Sequence, residues 1–94
     1  MNEDYVEQLA ELITKLKSPE LAKAFLQNIL TPSDLDEISV RLQVFKLLHK
    51  GLPQREVAKS LGVSIGTVSR GAREMKYGEA GIKVILDKNE NLRA

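Results

Sequence analysis

Apolar residues fall at helical spacing along most of the chain. Tyr5, Val6, Leu9, Leu12, Ile13 and Leu16 recur at i, i+1, i+4, i+7, i+8 and i+11. That stripe predicts an amphipathic helix over 4–17, capped by Asn2 or Asp4. Ser18-Pro19-Glu20 is a break and a restart, with the serine as cap and the proline at the first helical position. The second helix, about 19–30, carries Leu21, Phe25, Leu26, Ile29 and Leu30. Thr31-Pro32-Ser33-Asp34 repeats the same grammar and opens a third helix over about 32–50, through Leu35, Ile38, Leu42, Phe45, Leu47 and Leu48. Lys46, His49 and Lys50 suit the negative end of its dipole, and Gly51 ends it. After a break at Tyr77-Gly78, Ile82, Val84, Ile85 and Leu86 predict a last helix over 79–88, followed by a frayed tail, NENLRA.

The most structured stretch lies between, from Pro53 to Met75. Proline suits a first helical turn, so a helix is expected to start at Leu52-Pro53 and to bury Val57, Ala58 and Leu61. Gly62 stops it, because a glycine just past a helix end adopts the left-handed conformation without a Cβ penalty. Ser64 is placed to cap the next helix, which buries Ile65, Val68, Ala72 and Met75. A small residue at Ala58, a corner at Gly62 and an apolar plug at Val68 make a helix-turn-helix spacing. The exposed face of the second helix then carries Gly66, Thr67, Ser69, Arg70 and Arg73. Small and hydroxylic residues there let the backbone approach base edges. Gln54, Arg55 and Lys59 share that side and suit phosphates or, for Arg55, a guanine. The bland alternative is an ordinary helical corner with solvated charges. In all, six helices and no strand are predicted, in one all-α domain spanning 1–94. The helix-turn-helix occupies about 53–76, and the helices of about 4–50 are available for dimerisation.

Charge sharpens this picture. The net formal charge is only +1. Residues 1–40 hold three bases against eight acids, whereas residues 41–76 hold eight bases against two. A basic block that coincides with the helix-turn-helix is the electrostatic footprint expected for double-stranded DNA. The acidic front half should lie away from it. Composition adds bounds. Aromatics make up 4% of the 94 residues and tryptophan is missing, so the core is aliphatic and modest. A homodimer would bury more surface, and a two-fold protein matches two DNA half-sites. The chain has no cysteine, which excludes disulfides and thiolate metal sites and fits a reducing cytoplasm. No apolar run approaches 18 residues and the N-terminus is acidic, so neither a membrane span nor a signal peptide is expected. His49 is the only histidine and has no acid–base partner nearby in sequence; there is no phosphate-cradling glycine loop and no ligand-spaced metal cluster. An enzyme, a metal or a resident cofactor is therefore not expected.

The stretch LTPSDLDEISVRLQVFKLLHKG, followed by QREVAKSLGVSIGTVSRGAREMK, resembles the Trp repressor family of bacterial transcription regulators. The match covers roughly residues 28–76. It rests on LTP, Arg41 nine residues on, the LL-x-x-G helix end, QRE, LG, and the run from Thr67 to Gly71. The following MKYGEAGIKVIL is similar to the YerC/YecD branch. The resemblance implies an intertwined homodimer that represses transcription from a palindromic operator in the cytoplasm, nucleoid-associated when bound. It places Gln54, Arg55, Ile65, Gly66, Thr67 and Ser69 on DNA. The residue-level reading adds Lys59 and Arg73.

In the tryptophan-responsive members L-tryptophan is the corepressor, held between the third helix and the reading helix. Carried onto this chain, Arg41 and Arg70 would flank the indole and Arg70 would meet the carboxylate. Thr31 would help hold that carboxylate, the backbone at Leu30 would meet the amino group, and Gly71 would leave room. Guanidinium planes stack on aromatic faces and pair with carboxylates. This chain departs from the pattern at Glu74, where those members carry a serine, and at Asn28, where they carry an apolar residue. Glu74 either pairs with the ligand's ammonium or neutralises Arg70 one turn back. The turn Gly51-Leu52-Pro53-Gln54 is also one residue shorter. Two further readings stand beside corepressor control: a ligand-independent DNA-binding regulator, and a protein-interaction adaptor that retains the helix-turn-helix.

Overall fold

The structure, a computed structural model, describes residues 2–89; the expected fraying of residues 89–94 lies, from residue 90 on, outside the described residues. Six α-helices follow one another: α1 (Glu3–Ile13), α2 (Pro19–Ile29), α3 (Pro32–His49), α4 (Gln54–Leu61), α5 (Ile65–Tyr77) and α6 (Gly81–Lys88). Among the described residues there is no strand. The all-α class is as expected. The contacts divide the chain into two compact units, one up to Asp36 and one from Glu37 onward.

In the first unit the caps act as the sequence implies. The Asn2 side chain accepts from the Tyr5 amide at 3.3 Å, Ser18 Oγ from Leu21 at 3.1 Å, and Thr31 Oγ1 from Asp34 at 3.1 Å. Each satisfies an amide that the first helical turn leaves without a partner. The first helix is shorter than its apolar stripe. It ends at Ile13, where Lys15 and Leu16 donate three residues back to Leu12 and Ile13 in a tightened last turn. Leu16 thus leaves the stripe. Neither α1 nor α2 buries a residue within the chain. Tyr5 is 71% exposed and Leu21 and Ile29 are each 52% exposed.

The second unit is built on three valines. Val44 of α3, Val57 of α4 and Val68 of α5 are each at most 1% exposed. Leu47, Leu48, Leu52, Ala58, Leu61 and Val63 pack around them. Burying such side chains is the main favourable term, and a core of three fully buried valines is small for this chain length. Gly71 lets α5 close on α3: a Cβ there would come within 2.8 Å of Val44 Cγ1. The missing side chain, which the family resemblance reads as room for a ligand, also admits this helix contact.

Both corners of this unit are set by left-handed glycines. Gly51 at φ 93° and Gly62 at φ 66° are the only described residues with positive φ. At the second corner the amides of Gly62 and Val63 both donate to the Ala58 carbonyl. Pro53 turns out to be the N-cap rather than the first helical residue, with ψ 150°, and it supplies no side-chain hydrogen bond. His49 does more than sit at a helix end. Its Nε2 lies 2.6 Å from Asp87 Oδ1, which ties the end of α3 to α6 across 38 residues. Leu86 of α6 is buried beside this clasp in sequence, while Val84 and Ile85 are exposed.

Candidate nucleic-acid interface

The helix-turn-helix is α4, the corner at Gly62, and α5. Between Gln54 and Tyr77 the sequence places five bases and two acids. Gln54, Arg55, Lys59, Gly66 and Arg73 are exposed, and Thr67 and Ser69 are half-buried. Ile65 departs from the periodicity, which assigned it to the core. It is 50% exposed, in keeping with the DNA side on which the family resemblance puts it. The first turn of a helix is where the chain turns from cap to cylinder, so an apolar residue there need not face inward.

The start of α5 is held by a chain of hydroxyls. Ser64 Oγ accepts from the Thr67 amide at 3.1 Å and lies 2.9 Å from Thr67 Oγ1. Arg70 Nη2 in turn donates to Thr67 Oγ1 at 3.4 Å. The Arg70 guanidinium therefore reaches back towards the N-terminus of α5, with Nη1 3.8 Å from where a Cβ on Gly66 would stand. A helix N-terminus carries partial positive charge and free amides. A guanidinium folded onto that end adds a full positive charge beside it. Ser69 Oγ donates to Gln54 Oε1 at 2.8 Å, which joins the outer face of α5 to the first residue of α4. Sequence spacing gives no hint of this link, because the partners are 15 residues apart on different helices.

The residues assigned to a corepressor are only partly gathered. Arg70 and Glu74 share an open hollow of about 350 Å³ with Arg73, Tyr77 and Gly78. Arg41 and Gly71 are not among its lining residues; Arg41 is exposed on α3 and Gly71 is buried. Among the described residues no ion pair joins Arg70 to Glu74, so neutralisation one turn back is not what holds Arg70. The Glu74 side chain instead lies against Gly78, where any Cβ would collide with its carboxyl group. Thr31 Oγ1 serves as the cap of α3, and Leu30 donates its amide to Leu26. Tyr77, 72% exposed, enters the sequence reading only as part of the break at Tyr77-Gly78, and it is the last residue of α5. Its spacing of seven from Arg70 and three from Glu74 puts it on their helix face.

Comparison with known proteins gives a consistent answer. The family model described as Trp repressor protein matches residues 4–90. A Trp operon repressor homolog of Xylella fastidiosa is 36% identical over 87 residues, covering 92% of both chains. A Trp operon repressor homolog of Vibrio atlanticus is 32% identical over 81 residues, covering 85% of this chain and 83% of its own. Among solved structures, a TrpR-like protein from Eubacterium eligens superposes with a TM-score of 0.86 at 28% identity, covering 97% of this chain and 94% of its own. Family, fold and helix-turn-helix agree on a regulatory DNA-binding protein rather than an enzyme. The chain belongs to the Trp repressor family and is a DNA-binding transcriptional repressor in kind.

Proposed function

We propose that the chain acts as an intertwined homodimer on a palindromic operator in the bacterial cytoplasm, with α5 in the major groove. The observation that carries this is the corner itself. α4 and α5 are joined at Gly62 over the valine core, and Arg55, Lys59, Gly66, Thr67, Ser69 and Arg73 stand exposed or half-buried on them. Gln54, Arg55, Lys59, Ile65, Gly66, Thr67, Ser69 and Arg73 form the proposed DNA face. Phosphate contacts would fix the register, and Arg55 would read a guanine. The proposed dimer is supported by the apolar stripes of α1 and α2, helices in which no residue is buried. Large exposed apolar patches of this kind mark interaction surfaces. Among the described residues no helix is long and apolar enough to cross a membrane.

Control by a small-molecule corepressor such as L-tryptophan belongs to the same proposal. It would draw on Leu30, Thr31, Arg41, Arg70, Gly71 and Glu74. Arg70 is the hinge of that reading, since its guanidinium touches Thr67 on the DNA side and also lines the hollow with Glu74. A ligand carboxylate that captures Arg70 would change what the start of α5 presents to DNA.

The test is selection of binding sites from random duplex DNA, with and without L-tryptophan. The chain has no tryptophan, so ligand fluorescence is readable in the same samples. The expected result is a palindrome enriched in the presence of the ligand. The same palindrome in both samples would make this a ligand-independent regulator. No enrichment in either would refute the DNA reading and favour a protein-interaction adaptor.

A further inference from the structure

We infer that Ser69 is a positioning residue, whose hydroxyl holds the Gln54 side-chain carbonyl and so presets the Gln54 amide nitrogen as a donor to a DNA phosphate. The inference rests on the DNA reading above and deepens it. Its basis is the 2.8 Å bond from Ser69 Oγ to Gln54 Oε1. Among the described residues no other side-chain hydrogen bond joins α4 to α5.

The chemistry of the two ends of glutamine gives the bond its meaning. The carbonyl end only accepts and the nitrogen end only donates. Phosphate oxygens only accept, so a glutamine that turns its carbonyl to the backbone of DNA is repelled. An untethered glutamine presents either end, and it is among the side chains with the most rotamer freedom to lose on binding. Ser69 removes that choice. With its carbonyl engaged towards α5, the planar amide must offer its two nitrogen-bound hydrogens elsewhere. Among the described residues the Gln54 side-chain nitrogen makes no hydrogen bond of its own. The Ser69 proton is spent in the same bond, so its hydroxyl does not donate to a base. Thr67, engaged through Ser64 and Arg70, is the first hydroxyl within α5 itself. Preorganisation of this kind strengthens binding by lowering the ordering cost rather than by adding a contact.

The test uses the full chain and the duplex it selects. Four variants are compared: Ser69→Ala, Ser69→Thr, Gln54→Ala and the Ser69→Ala/Gln54→Ala double. Thermal melts establish that each is folded. Ser69→Ala and Gln54→Ala should each weaken binding about three- to ten-fold, the range of one net hydrogen bond. The double variant should lose no more than either single, because both remove one device. Ser69→Thr keeps a hydroxyl and should recover most of the affinity that Ser69→Ala loses. Ser69→Ala should leave the selected base sequence unchanged. In the free protein, NMR should show the Gln54 side-chain amide ordered in the parent and mobile in Ser69→Ala. A merely stabilising bond would move the melt but not this affinity pattern. Losses that add, or a changed base preference in Ser69→Ala, would overturn the inference while leaving the DNA reading intact. If the parent chain binds no duplex at all, the DNA reading fails and the inference fails with it.

Discussion

Gly71→Val lowers the melting temperature by roughly 10–20 °C, given an overpacking cost of about 2–3 kcal/mol in a domain of this size. The reason is the contact of α5 with α3. A Cβ at Gly71 would already lie 2.8 Å from Val44 Cγ1, and Val44 is 1% exposed and so hemmed in on its other sides. Helix propensity opposes the clash, since replacing a mid-helix glycine gains at most about 1 kcal/mol. For Gly71→Ala the two effects are closer, and the fall should be smaller than for valine. Gly66→Ala is the control: the nearest atoms to its Cβ would be Arg70 Nη1 and Ser64 Oγ, each at an ordinary 3.8 Å. Its melt should not fall below the parent's, and any rise reflects the gain in helix propensity. Thermal unfolding followed by circular dichroism decides the matter. An unchanged melt for Gly71→Val would mean that the close approach of α3 and α5 is not what Gly71 provides.

Arg55→Ala and Lys59→Ala separate base reading from phosphate contact. Arg55 is exposed at the start of α4 and carries a fork that fits the O6 and N7 of guanine. Its loss should weaken the selected duplex by about 1–3 kcal/mol and relax the preference at one base pair. Lys59 is one turn on, near the end of α4, and offers only a point charge. Its loss should weaken all duplexes alike and lower the slope of log K against log salt by about 0.9, one phosphate contact. The check is affinity measured at several salt concentrations on the selected duplex and on single-base variants of it. Equal effects of the two substitutions on every duplex would remove Arg55 from base reading.

The residues announce the local parts of this structure and hide the long-range ones. Asn2, Ser18, Thr31 and Ser64 were readable as caps because capping acts over three residues. Gly62 was readable as a corner because only glycine enters the left-handed region freely. The valine core followed from periodicity for Val57 and Val68, but Val44 did not stand out. The apolar residues of α3 are spread around the helix, so its sequence marks no single buried face. Ile65 misled for the opposite reason. It repeats in phase with Val68 and yet sits in the first turn, where the helix surface is still open.

The contacts that tie helix to helix had no sequence signal at all. His49 meets Asp87 across 38 residues and Ser69 meets Gln54 across 15. Their pairing depends on how the helices are placed, not on spacing. The same holds for Arg70. The resemblance assigns it to a ligand, while the geometry turns it back to Thr67 and keeps it at the rim of the hollow with Glu74 and Tyr77. Its two neighbourhoods, one facing the start of α5 and one facing the hollow, are a property of a long flexible side chain. No motif encodes that choice.

Methylation interference on the selected duplex tests the central claim most directly. A methyl group on guanine N7 stands in the major groove, where α5 is proposed to lie. Two protein copies related by a two-fold axis should be blocked at two guanine clusters, centred about one helical turn apart or a multiple of it and symmetric about the palindrome. Interference confined to minor-groove adenine N3, or a single asymmetric cluster, would contradict a dimer reading its operator with α5.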